Sequence, residues 1–201
     1  MATSRARRRL LFLASACAVV LGGEAAAQSD TKYFPERRQL CLDCHGDNGA
    51  SPTPETPSLG GIDEYYALLQ LVEFRDGDRE STIMRVVVKD MTDDDLRAAA
   101  AFVGKQPRSP SPAKPGDPAR MARGRELASK HHCGGCHGPE FLGGHQMPPL
   151  RQQREDYLLK ALRDYKAQKR IGLRAAMAEV LQPLDDASLV ALAYYLSRLS
   201  P

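Results

Sequence analysis

Residues 41–45 read CLDCH and residues 133–137 read CGGCH. Each places two thiols three positions apart with an imidazole directly after the second. Thiols and imidazoles in such numbers serve a redox dithiol, a structural zinc site, or covalent capture of a metal-bearing prosthetic group. A redox CxxC needs a βαβ frame, and no stretch of this chain shows strand alternation. A zinc site needs four ligands close together, whereas 88 residues separate Cys44 from Cys133. The third chemistry fits both copies. On one helical turn the two thiols share a side and can add to the two vinyl groups on one porphyrin edge, and the histidine that follows reaches the iron. C-x-x-C-H is the attachment pattern of c-type haem. Cys41, Cys44, Cys133 and Cys136 are therefore the expected thioether anchors, with His45 and His137 as axial iron ligands and two covalent haem c groups as cofactors. The fifth cysteine, Cys17, lies in the N-terminal leader, so no cysteine remains for a structural disulfide.

The sixth iron position separates carrier from enzyme. A methionine there raises the reduction potential and leaves no place for a substrate. Beyond the leader the methionines are 84, 91, 121, 147 and 177. Only Met84 and Met177 repeat, 39 residues after His45 and 40 after His137. They are the expected second axial ligands. Met91 lies opposite Leu184 in the repeat and reads as a core side chain. Met121 falls in the helix leading to the second motif, and Met147 adjoins Pro148 in a loop. His131, His132 and His145 have no counterpart in the first half and read as surface or haem-edge residues. Pro57 and Pro148 can each turn a backbone carbonyl to the Nδ1–H of the haem histidine and set its basicity.

The elements that position these residues occur twice. Pro57 and Leu59 match Pro148 and Leu150, YALLQLVEFRDGDR from Tyr66 matches YLLKALRDYKAQKR from Tyr157, and IMRVVVKDMTDDD matches AMAEVLQPLDDAS. A period near 92 residues is too long for a solenoid and reads as a duplicated domain. The joint is PRSPSPAKPGDP, residues 107–118, whose five prolines make an extended linker. Each half has helical periodicity. Ile62, Tyr65, Tyr66, Leu69 and Val72 are expected on one buried face, as are Leu189, Leu192, Ala193, Leu196 and Leu199. Thr92 and Asp95 form a capping-box pattern for a helix through Val103, with Leu96, Ala99, Ala100 and Val103 inward. A half of 80–90 residues without Trp has a marginal core of its own, which an apolar prosthetic group completes.

The N-terminus has the layout of a secretory signal over residues 1–27: Arg5, Arg7, Arg8 and Arg9, the apolar run LLFLASACAVVLGG, and a small-residue cleavage site after Ala27. The run is short for a membrane span. Ala14 stands where a lipoprotein signal ending at Cys17 has a larger aliphatic residue, and the Arg7–Arg8 pair sits within a plain arginine run. The expected divisions are 1–27 signal peptide, 28–106 first domain, 107–118 linker and 119–201 second domain. Without the leader the chain has 24 basic and 24 acidic residues, so charge does not point to nucleic acid. The halves differ: residues 28–108 carry 10 Lys and Arg against 15 Asp and Glu, residues 109–201 carry 14 against 9. That dipole predicts different docking partners for the two halves.

CLDCHGDNGAS, the PSL and PPL loops, YALLQLVEFRDGDR with its IM, and the Ala-rich last helix resemble the two-haem class I cytochromes of the cytochrome c4 type, over nearly all of residues 30–200. The resemblance implies an all-α fold of two tandem class I cytochrome c domains about a pseudo-two-fold axis. It implies His45 with Met84 and His137 with Met177 on the two irons, and electron carriage in the bacterial periplasm. The implied partners are redox proteins, a membrane or periplasmic donor and a terminal oxidase or reductase acceptor, with no small-molecule substrate. The competing readings are a dihaem cytochrome subunit of a larger dehydrogenase complex and a dihaem peroxidase-like enzyme. The sequence departs from the pattern at KAQKR, where a glycine is expected before the arginine, and in two extra residues between Tyr157 and Met177.

Overall fold

The computed structural model describes residues 31–108, 114–170 and 175–200. The expected signal peptide, with Cys17 and the cleavage point after Ala27, lies outside the described residues, as do positions 109–113 of the expected linker. The described residues form helices and two isolated β-bridges, Arg79 with Arg170 and Gly144 with Met147.

The first half contains α1 (Phe34–His45), α2 (Glu64–Asp76), α3 (Thr82–Val88) and α4 (Asp93–Gly104). The second repeats the order with α5 (Pro118–Lys130), α6 (Cys133–His137), α7 (Glu155–Lys166), α8 (Ala175–Leu181) and α9 (Asp186–Ser197). The N-terminal helix is continuous in the first half and broken in the second. α5 ends at Lys130, His132 turns left-handed at φ 52°, and α6 restarts on Cys133. Gly134 and Gly135 inside the second motif favour helix poorly.

Each half has its own apolar core. Phe34, Phe74, Val88, Met91, Leu96 and Ala99 cluster in the first, extended by Ala67, Ala100 and Val103. Leu127, Phe141, Leu158, Leu181, Leu189, Leu192 and Leu196 anchor the second. α2 packs on α4, and α9 packs on both α5 and α7. Gly124 is the point where α5 meets α9, since a Cβ there would lie 2.3 Å from the Cβ of Tyr195. The expected stripe on α9 is buried at Leu189, Leu192, Ala193 and Leu196. Met91 and Leu184 are core residues, as their opposition in the repeat predicts.

The expected α2 face is only partly right. Tyr66 is buried and Leu69 and Val72 are half-buried, but Tyr65 is exposed and Ile62 precedes the helix. The buried residues of α2 are Tyr66, Ala67, Gln70, Glu73 and Phe74. Two of these are polar: Gln70 accepts a hydrogen bond from Arg170 of the other half, and Glu73 accepts one from Gln70 within α2.

At the departure from the glycine pattern, Gly77 ends α2 at φ 93° and Gln168 takes the equivalent left-handed position at φ 56°. The turn thus survives loss of the glycine, at a cost of about 1 kcal/mol for a side chain in that region.

Asp95 ties the first half together. The capping box forms as expected: the Thr92 hydroxyl accepts from the Asp95 N–H, and the Asp95 carboxylate accepts from the Thr92 N–H at 3.0 Å. The other carboxylate oxygen accepts from the backbone N–H groups of Lys32, Tyr33 and Phe34 at 2.8, 2.8 and 2.9 Å. One fully buried carboxylate therefore caps α4 and anchors the start of α1. Burial pushes its pKa up, but the N–H groups of Phe34, Thr92 and Tyr33 and the Thr92 hydroxyl outweigh burial and hold it at about 2. In the second half Ser188 stands at the equivalent position. Asp185 caps α9 through the Ser188 N–H, and the approach to α5 is held by the Tyr194 hydroxyl, which accepts from the Asp117 N–H at 2.7 Å.

A pKa depressed by folding contributes stability above the unfolded value near 4 that is lost as pH falls towards 2. Asp95→Asn is expected to cost about 2 kcal/mol at pH 7, and the difference from the parent protein should shrink as pH drops through that window, measured by chemical denaturation at several pH values.

Candidate haem sites

The last turn of α1 carries Cys41, Cys44 and His45, and α6 carries Cys133, Cys136 and His137. Cys41, Cys44 and Cys133 are half-buried, Cys136 is exposed, and none of the four is in a disulfide. Burial pushes the Cys41 and Cys133 thiols up, keeping both protonated. Both histidines are buried, His45 at 8% and His137 at 4% exposure.

The Nδ1 of His45 lies 2.8 Å from the Pro57 carbonyl, and that of His137 lies 3.0 Å from the Pro148 carbonyl. A carbonyl only accepts, so Nδ1 carries the proton in each ring and the neutral tautomer has its lone pair on Nε2. Burial lowers the His45 pKa against the Pro57 bond that raises it, and Arg79 adds a further lowering. The ring is thus held neutral, the form that ligates a metal.

Met84 lies on α3, with its N–H donated to the Ser81 hydroxyl at 3.3 Å, and is half-buried against the first core. Met177 lies on α8 and packs, half-buried, on the second core. Residues 171–174, just before α8, lie outside the described residues. Met121 is half-buried against the second core, and Met147 sits in the loop that bridges back to Gly144. His131 closes α5 and His132 precedes α6. His145 is exposed but not idle: it stacks on Tyr65 of the first half at 4.6 Å and 15°, with Nδ1 3.6 Å from Asp63.

One cluster had no part in the sequence reading. Arg79 and Arg170, equivalent in the repeat, are buried at the junction of the halves. Arg79 donates to the Tyr157 hydroxyl at 3.0 Å, and Arg170 to the Tyr66 hydroxyl at 3.4 Å, so each crosses to the tyrosine of the other half. Both also donate to Gln70 Oε1 at 2.6 Å. Arg79 lies over the ring of Phe74, and Arg170 over that of Tyr165. The recurrence of arginine and tyrosine at matching places was the available signal. The buried Nε of Arg170 has no hydrogen-bond partner among the described residues. That leaves one N–H of an otherwise bonded guanidinium for a further acceptor, and a haem brings two carboxylates. Paired thiols, buried imidazoles, thioethers beside apolar cores and buried cations together fit an iron porphyrin held covalently in each half.

A second line of findings comes from known proteins. The cytochrome c family model matches residues 121–200. Cytochrome c4 of Pseudomonas aeruginosa is 30% identical over 187 residues, covering 89% of this chain and 93% of that protein. A thiosulfate dehydrogenase electron acceptor of Stutzerimonas stutzeri is 29% identical, covering 91% and 92%. The crystal structure of reduced recombinant cytochrome c4 from Pseudomonas stutzeri superposes with a TM-score of 0.73 at 29% identity, over 82% of this chain and 96% of that one. With likeness at this level running through both halves, the chain belongs to the cytochrome c4 family, electron carriers that hold two covalent haem c groups in tandem all-α class I cytochrome c domains.

Proposed function

We propose that Cys41 and Cys44 anchor the first haem and Cys133 and Cys136 the second, and that the axial pairs are His45 with Met84 and His137 with Met177. The observation that carries this reading is the repeated hydrogen bond from each motif histidine to a proline carbonyl, in halves that each present a methionine at the same place on a short helix. Each haem supplies one-electron chemistry between Fe(III) and Fe(II). The protein does the rest. The Pro57 and Pro148 carbonyls fix the imidazoles, the thioethers of Met84 and Met177 close the remaining axial positions, and Arg79 and Arg170 neutralise haem carboxylates at the junction. Bringing both sites to one interface lets an electron enter at one domain and leave from the other.

The mature chain is residues 28–201, exported to the periplasm under the signal of residues 1–27, with domains 28–106 and 119–201 joined by the linker 107–118. Among the described residues no helix is long and apolar enough to cross a membrane. The partners are redox proteins, a membrane or periplasmic donor and a terminal oxidase or reductase acceptor. Ile83 and Val86 stand exposed beside Met84, and Val180 beside Met177, giving each domain apolar contact area for a docked partner, with the charge difference between the halves choosing which. A second reading is favoured by the relative named as an electron acceptor of thiosulfate dehydrogenase: the donor to this chain is then a dehydrogenase of reduced sulfur compounds, with which it copurifies.

Potentiometric titration of the parent protein should resolve two high-potential one-electron components. Met84→Ala and Met177→Ala should each lower one component by tenths of a volt, on the ~0.8 V scale that axial ligands span, and open that iron to cyanide or imidazole. Unchanged potentials in either variant would remove that methionine from the ligand set.

Electron-transfer rates with a basic partner at the first domain and an acidic one at the second should both fall as ionic strength rises from ~10 to ~150 mM, where the Debye length shrinks from about 30 to about 8 Å. Rates insensitive to salt would dismiss the charge-based division of partners.

A further inference from the structure

The loop that carries the Pro57 carbonyl is held from the other domain. The carboxamide of Gln153 clamps the next residue at both backbone groups: Gln153 Oε1 accepts from the Ser58 N–H at 2.8 Å, and Nε2 donates to the Ser58 carbonyl at 2.9 Å. Both residues are buried, Gln153 at 7% and Ser58 at 6% exposure. Arg154 extends the grip by donating to the Ser51 carbonyl at 2.9 Å. Ser51 in turn donates its N–H to the Ser58 hydroxyl at 3.1 Å and its own hydroxyl to the Cys44 carbonyl at 2.9 Å. Two short paths thus run from residues 153–154 of the second half to the first haem motif, one ending at the Pro57–His45 bond and one at the end of the CxxCH turn.

Among the described residues nothing equivalent runs the other way. Ser58 corresponds in the repeat to Pro149, which has no N–H to give, and Gln153 corresponds to Ile62, which has no amide. The Pro148–Pro149 pair is stiff by itself. It is followed by Leu150 and Arg151, whose N–H groups both donate to Phe141 of their own half at 2.9 and 3.1 Å. Among the described residues the contacts of the first half with the second-motif loop are peripheral: Arg108 on the Leu142 carbonyl at 3.3 Å, and the exposed His145, stacked on Tyr65 with Nδ1 3.6 Å from Asp63.

We propose that Gln153 is a positioning residue for the first haem: from the second domain it fixes the Pro57–Ser58 peptide, hence the hydrogen bond to His45 and the reduction potential of that haem. The inference rests on His45 being an axial ligand. A carbonyl held firmly on Nδ1–H makes the imidazole a stronger donor, which favours Fe(III) and lowers the potential. A clamp that acts on one haem alone separates the two potentials, and makes domain docking legible at one iron.

The test uses the full holoprotein with Gln153→Leu, near in shape but unable to bond either Ser58 group. Gln153→Glu keeps the acceptor for the Ser58 N–H and loses the donor. His145→Ala removes a different contact between the domains. Two readouts are taken: potentiometry, with the first haem identified as the component that Met84→Ala displaces, and the NMR signals of the His45 ring and its Nδ1–H in the Fe(II) protein. With Gln153→Leu the first-haem potential should rise while the second stays. The Nδ1–H signal should move upfield and exchange faster with water. Gln153→Glu should fall between parent and Leu variant, and stands in if the latter does not fold. His145→Ala should leave the His45 signals unmoved. Potentials that shift together, an equal effect from His145→Ala, or no change at all would each overturn the proposal. If the His45 ring protons of the parent protein lie outside the range of haem ring-current shifts, the ligand assignment itself fails; if they lie within it and Gln153→Leu leaves them in place, only the positioning role does.

Discussion

Two buried cations at one seam set the terms for the rest of the molecule. Arg79 and Arg170 meet across an isolated β-bridge and share one amide oxygen, that of Gln70. Like charges taken out of water repel strongly unless anions or well-placed dipoles answer them. The tyrosine hydroxyls, the aromatic faces of Phe74 and Tyr165, and Gln70 answer in part. The Arg170 Nε is left over, and a haem carboxylate placed there, as proposed above, would complete the set. On that proposal, docking of the domains and loading of the haems would be linked, since the group that neutralised the seam would also fill two cores that are each small for independent folding. The exchange of arginine for tyrosine across the seam is also what gives the pair its pseudo-two-fold character, since each half supplies the partner that the other needs.

Local and repeated features were legible in the sequence. The CxxCH turns, the capping box at Thr92 and Asp95, the apolar stripe of α9 and the pairing of Met91 with Leu184 each involve residues close in sequence or matched between copies. The proline carbonyls were legible because both copies keep a proline at the same distance from the histidine. Features that depend on the other domain were not. The α2 face was misread because apolar periodicity cannot distinguish a helix beside solvent from one covered by a second domain. Gln70 is inside for that reason, and Tyr65 is outside. Asp95 announced its role in α4 but not its reach to the start of α1, 61–63 residues away. Gln153 carried no signal, because its importance lies in an interdomain contact and in having no counterpart.

Duplication supplied two copies of one scaffold, and divergence then gave each a different support. The first motif ends a continuous helix that Asp95 anchors at its start; the second begins after the left-handed break at His132. The first proline carbonyl is steadied by an amide from outside its domain, the second by a neighbouring proline within the loop. The ligating atoms can be the same in both halves while the stiffness of what stands behind them differs.

That difference matters for a relay. A carrier with two identical sites has no internal direction, because an electron gains nothing by crossing from one to the other. The axial pairs proposed for this chain are the same, so direction must come from what surrounds them. On the reading proposed above, the charge imbalance contributes from outside by steering unlike partners to unlike ends. The role proposed for the Ser58–Gln153 clamp adds a contribution from inside, through a single peptide beside a single histidine, and only while the two domains are docked. On these proposals, asymmetry in the loops, rather than in the ligands, is the means by which a repeated fold becomes a pathway with two different ends.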